Sequence, residues 1–128
     1  PEIMELMKSG QIDTVQIPYN VGEDGCADEL LPLAAELGTG VLVMEPLKKG
    51  RLVSELKSQP DLSPLAEFGI RTWAQALIAW VLADSRVSSV IPATSRPERV
   101  QENALPGTLG PLPQELRDYV KEEAKRCL

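Results

Sequence analysis

Val90-Ile91-Pro92-Ala93-Thr94-Ser95-Arg96-Pro97-Glu98-Arg99-Val100-Gln101-Glu102-Asn103 reads as a short apolar strand, a polar turn and the start of a helix. Ser95 followed three residues later by Glu98 is a capping pattern for that helix. The first-turn N–H groups of a helix have no intrahelical partners and lie at the positive end of its macrodipole, so an anion is favoured there. With Arg96, Arg99 and Asn103 beside them, those donors would make a site for a phosphate attached to a nucleotide base. A capped helix with exposed arginines is the plainer alternative.

Outward from this stretch the same unit recurs. Ile3, Met4, Leu6 and Met7 lie on one helical face, and Gly10 suits the left-handed stop that follows. Ile12-Asp13-Thr14-Val15-Gln16-Ile17-Pro18-Tyr19 alternates, with Val15 and Ile17 on one side and Thr14 and Gln16 on the other, which predicts a strand. Leu30, Leu31, Leu33, Ala34 and Leu37 mark a second helix ending at Gly38. Val41-Leu42-Val43-Met44 is apolar at every position, the pattern of a strand buried on both faces. Residues 48–70 are the longest irregular region, and Lys48-Lys49-Gly50-Arg51 within it is the only dense basic cluster. Thr72 and Gln75 form a capping box for a helix through Ala83. Its apolar stripe of Trp73, Ala76, Leu77, Ile78, Trp80, Val81 and Leu82 is wide enough for burial on more than one side. Residues 87–91 form the third strand, and Leu116, Tyr119, Val120 and Ala124 mark a terminal amphipathic helix after a Pro/Gly-rich link at 106–113.

Helix and strand alternate, with crossovers long enough for parallel pairing. The fold class is therefore α/β: about three parallel strands alternating with helices, plus a C-terminal helix. Right-handed crossovers put the strand-to-helix loops at one end of the sheet, where ligands bind in such folds. A closed (β/α)8 barrel takes eight strands and about 250 residues, so this chain amounts to a partial TIM barrel.

The 128 residues, 43% of them apolar, can bury one modest core, and residues 1–128 are read as one domain. Thirteen Lys and Arg against 19 Asp and Glu give a formal charge of −6, which disfavours nucleic acid as a partner. No apolar run approaches the roughly 20 residues that span a membrane. Cys26 and Cys127 fit no metal-ligand spacing and read as unpaired thiols of a reducing compartment, so a cytoplasmic protein is expected. The chain opens on Pro1 inside a helical pattern, the expectation for a piece of a longer protein.

The Ile-Pro-x-x-Ser…Glu-Arg…Glu-Asn run of residues 91–103 resembles the last β/α unit of the aldo-keto reductases, and the resemblance extends over nearly the whole chain. It implies a C-terminal fragment of that family's barrel and NADP(H) as cofactor. Thr94, Ser95 and Arg96 would surround the adenosine 2′-phosphate, Arg99 would be its main charged partner, and Glu102 and Asn103 would reach the adenine. Where many members carry a lysine this sequence has Ala93, leaving Arg96 to replace it. Gln16-Ile17-Pro18-Tyr19-Asn20 resembles the sixth strand end, whose glutamine bonds the nicotinamide carboxamide; a glutamine satisfied inside a barrel layer is the alternative. Met44-Glu45-Pro46-Leu47 resembles the seventh, with Met44 where many relatives stack an aromatic ring on the nicotinamide, and Leu47 through Arg51 would run beside the pyrophosphate.

The family's aspartate, tyrosine, lysine and histidine set belongs to the first strands and loops of the barrel. No residue matches it here: the chain has no histidine, and Tyr19 and Tyr119 stand at other positions. The resemblance thus implies a nucleotide-anchoring portion of an enzyme for NADPH-dependent aldehyde or ketone reduction, not catalytic alone. The alternative is a structural or assembly module that keeps the fold without nucleotide binding. Either way, a three-strand sheet has two open edges, near Val15 and Val90, so a homo-oligomer, most simply a homodimer, is expected.

Overall fold

The computed structural model describes residues 2–91 and 98–128. Its sheet has three parallel strands, β1 (Thr14–Pro18), β2 (Gly40–Met44) and β3 (Ser89–Ile91), in the order β1-β2-β3. Val15 pairs with Val41, Gln16 with Leu42, and Met44 with both Pro18 and Ile91. Helix α1 (Glu2–Lys8) precedes β1, α2 (Leu30–Leu37) links β1 to β2, and the short α3 (Arg51–Ser54) and long α4 (Trp73–Leu82) link β2 to β3. Helices α5 (Glu98–Ala104) and α6 (Gln114–Cys127) follow.

The strand alternation decides where the core sits. Val15, Ile17, Val41 and Val43 are buried and share one cluster with Leu31, Ala34, Leu77 and Trp80 from the helices. Every residue of α4 from Trp73 to Val81 is buried, as its wide apolar stripe requires. The Thr72/Gln75 capping box forms: Gln75 N donates to Thr72 Oγ1 at 3.2 Å, and Thr72 N donates back to Gln75 Oε1 at 3.3 Å. Gly10 and Gly38 end the first two helices at φ 75° and 70°, where a Cβ would be strained.

Four sequence expectations need correction. Strand β2 is covered on one face only, Val41 and Val43 being buried and Leu42 and Met44 half-buried, because every helix crossover returns on the same side. On α1 only Met7 is buried, while Ile3 and Leu6 remain 40% and 53% exposed; one short helix meets one neighbour and needs one contact row. The third strand is shorter than 87–91, because Val87 N turns back to Asp84 O at 3.0 Å. Residues 48–70 are not structureless. They hold α3 and a 3-10 helix at Ser63–Phe68, and α6 pins them: Lys57 N donates to Cys127 O at 2.7 Å and Tyr119 Oη to Asp61 O at 2.6 Å.

Candidate nucleotide site

The uncovered face of the sheet carries Thr14 and Gln16 from β1 and Leu42 and Met44 from β2. Gln16 is exposed rather than buried, and its Nε2 lies 3.6 Å from Met44 Sδ, a weak N–H···S contact between adjacent strands. The two side chains whose chain separation is 28 residues thus stand together toward the C-terminal ends of parallel strands. That is the end where α/β sheets receive ligands. Among the described residues neither side chain has a strong hydrogen-bond partner.

After Met44 the chain bends sharply. Glu45, Lys48 and Lys49 have φ of 56°, 52° and 58°, and Gly50 follows at 84°. Left-handed backbone costs about 1–3 kcal/mol at a non-glycine residue and persists only where surrounding contacts enforce it. Here the enforcing contacts are Lys48 N to Glu45 O (3.0 Å), Gly50 N to Leu47 O (3.1 Å) and Asn20 Nδ2 to Glu45 O (3.0 Å). Leu47 packs half-buried against the core, so it anchors the bend. Arg51 opens α3 in solvent and pairs with Glu55 at 3.0 Å; Lys49 pairs loosely with Glu45 at 3.9 Å. Exposed pairs of this kind hold little energy, and both cations are available to an anion.

On α5, Arg99 and Glu102 are half-buried and Asn103 is 6% exposed. Gln75 Nε2 donates to Glu102 O at 3.1 Å, tying the start of α4 to α5. The buried Asn103 Oδ1 has no hydrogen-bond partner among the described residues, a position that usually marks a missing donor. Asn103 lines a cavity of about 540 Å³ with Ile78, Leu82, Ser88, Ser89, Val90 and Val100. Thr94, Ser95 and Arg96 lie outside the described residues. The structure therefore brings Gln16 and Met44 together, continues them into the loop bearing Leu47 and Arg51, and sets Arg99, Glu102 and Asn103 on a separate helix tied to the start of α4.

Sequence reasoning missed a second polar cluster, behind the sheet. Tyr19 Oη, in a residue 1% exposed, donates to Asp84 Oδ2 at 3.0 Å and accepts from Arg117 Nη2 at 2.8 Å. Arg86 grips the same carboxylate through Nε (2.8 Å) and Nη2 (2.7 Å). Arg117 also donates to Trp80 O at 3.0 Å and lies 4.1 Å from the centre of the Trp80 ring, against which the Tyr19 ring stands edge-on. Lys121 bonds Val21 O (2.8 Å) and Asp24 (2.6 Å). Burial pushes the Tyr19 hydroxyl up to about 12, so it stays protonated at neutral pH. Burial works against the charge of Asp84, but hydrogen bonds from Arg86 outweigh it and hold the carboxyl below its usual range. Burial, then the Asp84 charge, raises the Cys26 thiol to about 11, so it stays protonated at neutral pH. Nothing in the sequence hinted at it, because partners 65 and 98 residues away have no sequence signature.

Among the described residues no group of His, Cys, Asp and Glu is arranged to hold a metal, Cys26 and Cys127 are free, and no helix is long and apolar enough to cross a membrane. Several solved structures share the fold. An aldo-keto reductase from Bacillus halodurans in its holo form superposes with a TM-score of 0.73 at 23% identity, over 99% of this chain and 48% of that one. The glycerol dehydrogenase of Gluconobacter oxydans gives 0.73 at 20% identity, over 100% and 47%. Two Escherichia coli (strain K12) proteins are similar in sequence. The NADH-specific methylglyoxal reductase is 25% identical across 79% of this chain and 39% of its own length, and the methylglyoxal reductase YeaE is 31% identical across 80% and 36%. The chain spans less than half the length of each of these relatives. The family model for the aldo/keto reductases matches residues 1–124, the same strands and helices that carry the Gln16–Met44 pair and the α5 segment, and the chain belongs to the aldo/keto reductase family.

Proposed function

We propose that this chain is the cofactor-anchoring portion of an aldo-keto reductase: it holds a nicotinamide dinucleotide, NADP(H), and does not reduce carbonyls alone. The family generally uses NAD(P)H. The observation that carries the reading is the meeting of Gln16 and Met44 on the open face, toward the ligand-receiving end of the sheet. Gln16 offers both a donor and an acceptor to a carboxamide, and Met44 a polarizable surface to a flat ring. Leu47 and Arg51 lie in and after the bend, where a pyrophosphate would pass. Asn103 Oδ1, buried without a partner, is an acceptor of the kind an adenine amine needs, with Glu102 beside it. Thr94, Ser95, Arg96 and Arg99 would hold the 2′-phosphate. When bound, the reduced nicotinamide supplies hydride for reduction of an aldehyde or ketone. The chain's residues bind and orient it; none is assigned to proton donation. Two reduced thiols fit a cytoplasmic setting.

Titration calorimetry of the 128-residue chain with 2′,5′-ADP, NADPH and nicotinamide mononucleotide tests this. Arg99→Ala should weaken 2′,5′-ADP by about 1.5–3 kcal/mol, the worth of a charge-assisted hydrogen bond. Nicotinamide mononucleotide should bind far more weakly. Identical titrations for wild type and Arg99→Ala would reduce the segment to a helix cap. With a panel of aldehydes, NADPH oxidation should equal the enzyme-free control; a rate proportional to protein in homogeneous, mass-verified material would overturn the non-catalytic half.

A second reading, a homodimer formed through the open edges and inner face, is favoured by Ile91 of β3 and Val100 of α5, which remain 43% and 57% exposed. Light scattering coupled to size exclusion should give twice the mass of 14.0 kDa. A monodisperse monomer would rule that assembly out.

A further inference from the structure

A single side chain straps the ends of β1 and β2 together. Asn20, two residues beyond β1, is fully buried, and both ends of its carboxamide are used. Its Oδ1 accepts from Gly22 N at 3.0 Å, and its Nδ2 donates to Glu45 O at 3.0 Å and to Glu23 Oε1 at 3.4 Å. Its own N–H and C=O are fixed as well, by paired backbone bonds with Glu23 at 3.1 and 3.0 Å. The strap is therefore rigid before it reaches Glu45.

Glu45 is the first residue after β2 and takes φ 56°, which a glutamate rarely adopts. Among the described residues its side chain makes one ion pair, a loose 3.9 Å contact to the exposed Lys49, which does little to enforce this. The enforcing donors converge on its carbonyl: Lys48 N from within the bend, and Asn20 Nδ2 from the other strand. Lys48 N can follow the bend wherever it goes. Asn20 cannot.

We infer that Asn20 is a positioning residue: by gripping Glu45 O it sets the left-handed bend that lays residues 46–51 along the open end of the sheet. The ligand this serves rests on the nucleotide reading above, with the bend carrying the middle of the dinucleotide and the Met44 end of the site. An aspartate at this position would keep the acceptor for Gly22 N but set a carboxylate oxygen against Glu45 O. The bend would then relax toward negative φ, moving Leu47 and Arg51 while leaving α5 in place.

The test compares wild type, Asn20→Asp and Asn20→Asp/Glu45→Gly in the full 128-residue chain. A residue at positive φ brings its amide proton close to its own Hα, so a strong intraresidue HN–Hα NOE at Glu45 reports the bend directly. Asn20→Asp should lose that NOE and weaken NADPH about tenfold, while 2′,5′-ADP, held elsewhere, changes by less than about twofold. Glycine at 45 adopts the bend without a strap, so the double variant should return NADPH to within about threefold of wild type. Should Asn20→Asp not fold, Asn20→Ser, whose hydroxyl is too short to reach Glu45 O, enters the same comparison. An unchanged Glu45 NOE, an equal loss of both nucleotides, or no rescue by Glu45→Gly overturns the inference. If wild type binds neither nucleotide, the cofactor reading falls, and the NOE comparison alone decides whether Asn20 holds the bend.

Discussion

The two faces of the sheet are built from alternate residues of the same strands, yet they serve opposite ends. Val15, Ile17, Val41 and Val43 face the helices and are buried, and behind them Trp80, Tyr19, Asp84, Arg86 and Arg117 lock the terminal helix to the core. Thr14, Gln16, Leu42 and Met44 face away, with few partners of their own. Period-two alternation lets one short strand contribute to the core on one face and leave the other face open without either compromising the other. Substitutions one residue apart should therefore differ in kind, not only in size.

The largest effect is expected behind the sheet. Trp80→Ala should cost about 3–5 kcal/mol in urea unfolding, because it empties a core site and removes the ring under Arg117 and Lys121. A loss below about 1 kcal/mol would mean the cluster is decoration. Next come the neighbours Ile17 and Gln16. Ile17→Ala should cost about 2–5 kcal/mol, whereas Gln16→Ala should stay within about 0.5 kcal/mol and instead weaken NADPH relative to 2′,5′-ADP. Comparable destabilisation at both positions would erase the distinction between the faces.

Tyr19→Phe sharpens the comparison within the buried cluster. It takes one hydrogen bond from Asp84 and leaves Arg117 Nη2 short of an acceptor, for a loss of about 1–3 kcal/mol. The pKa adds a pH signature. Tyr19 titrates near 10 unfolded and about 12 folded, so its contribution is complete below pH 10 and is lost as pH rises from 10 to 12. Alkaline unfolding curves of wild type should fall through that window more steeply than those of Tyr19→Phe.

The smallest effect among the buried polar contacts lies at the terminal helix. Arg126, then Asp61 N, stabilises the Glu123 carboxylate and lowers it from 4.5 to about 2. A depressed carboxyl contributes fully above pH 4.5 and loses that contribution as pH falls toward 2. Because Arg126 is exposed and screened, Glu123→Gln should cost only about 1 kcal/mol at neutral pH and flatten the acid limb. An acid limb identical to wild type would show that the 57–61 segment is held by Lys57 and Tyr119 instead.

Local chemistry made much of this molecule legible in its sequence. Thr72 and Gln75 announced their capping box, Gly38 its helix end, and the alternation around Val15 and Ile17 the face of β1 that turns to the helices, since each depends on residues within a turn or two. The family, too, was legible, because the 91–103 run keeps residue types at fixed short spacing.

What only the tertiary structure decided depends on separations no local pattern encodes. That β2 would be covered on one side followed from where both crossovers return, not from the apolar run Val41-Leu42-Val43-Met44. That Gln16 would meet Met44, and Asn20 would reach Glu45, followed from the β1–β2 register. Tyr19, a residue the sequence offered only as an unrecruited phenol, became the centre of a buried network because α6 carries Arg117 back across the whole chain to it. Sequence alone set the elements and their amphipathic faces, through short-range sterics and hydrogen bonding. Long-range packing chose which polar groups would be desolvated together, and a buried polar group can only be read once its partner is in place.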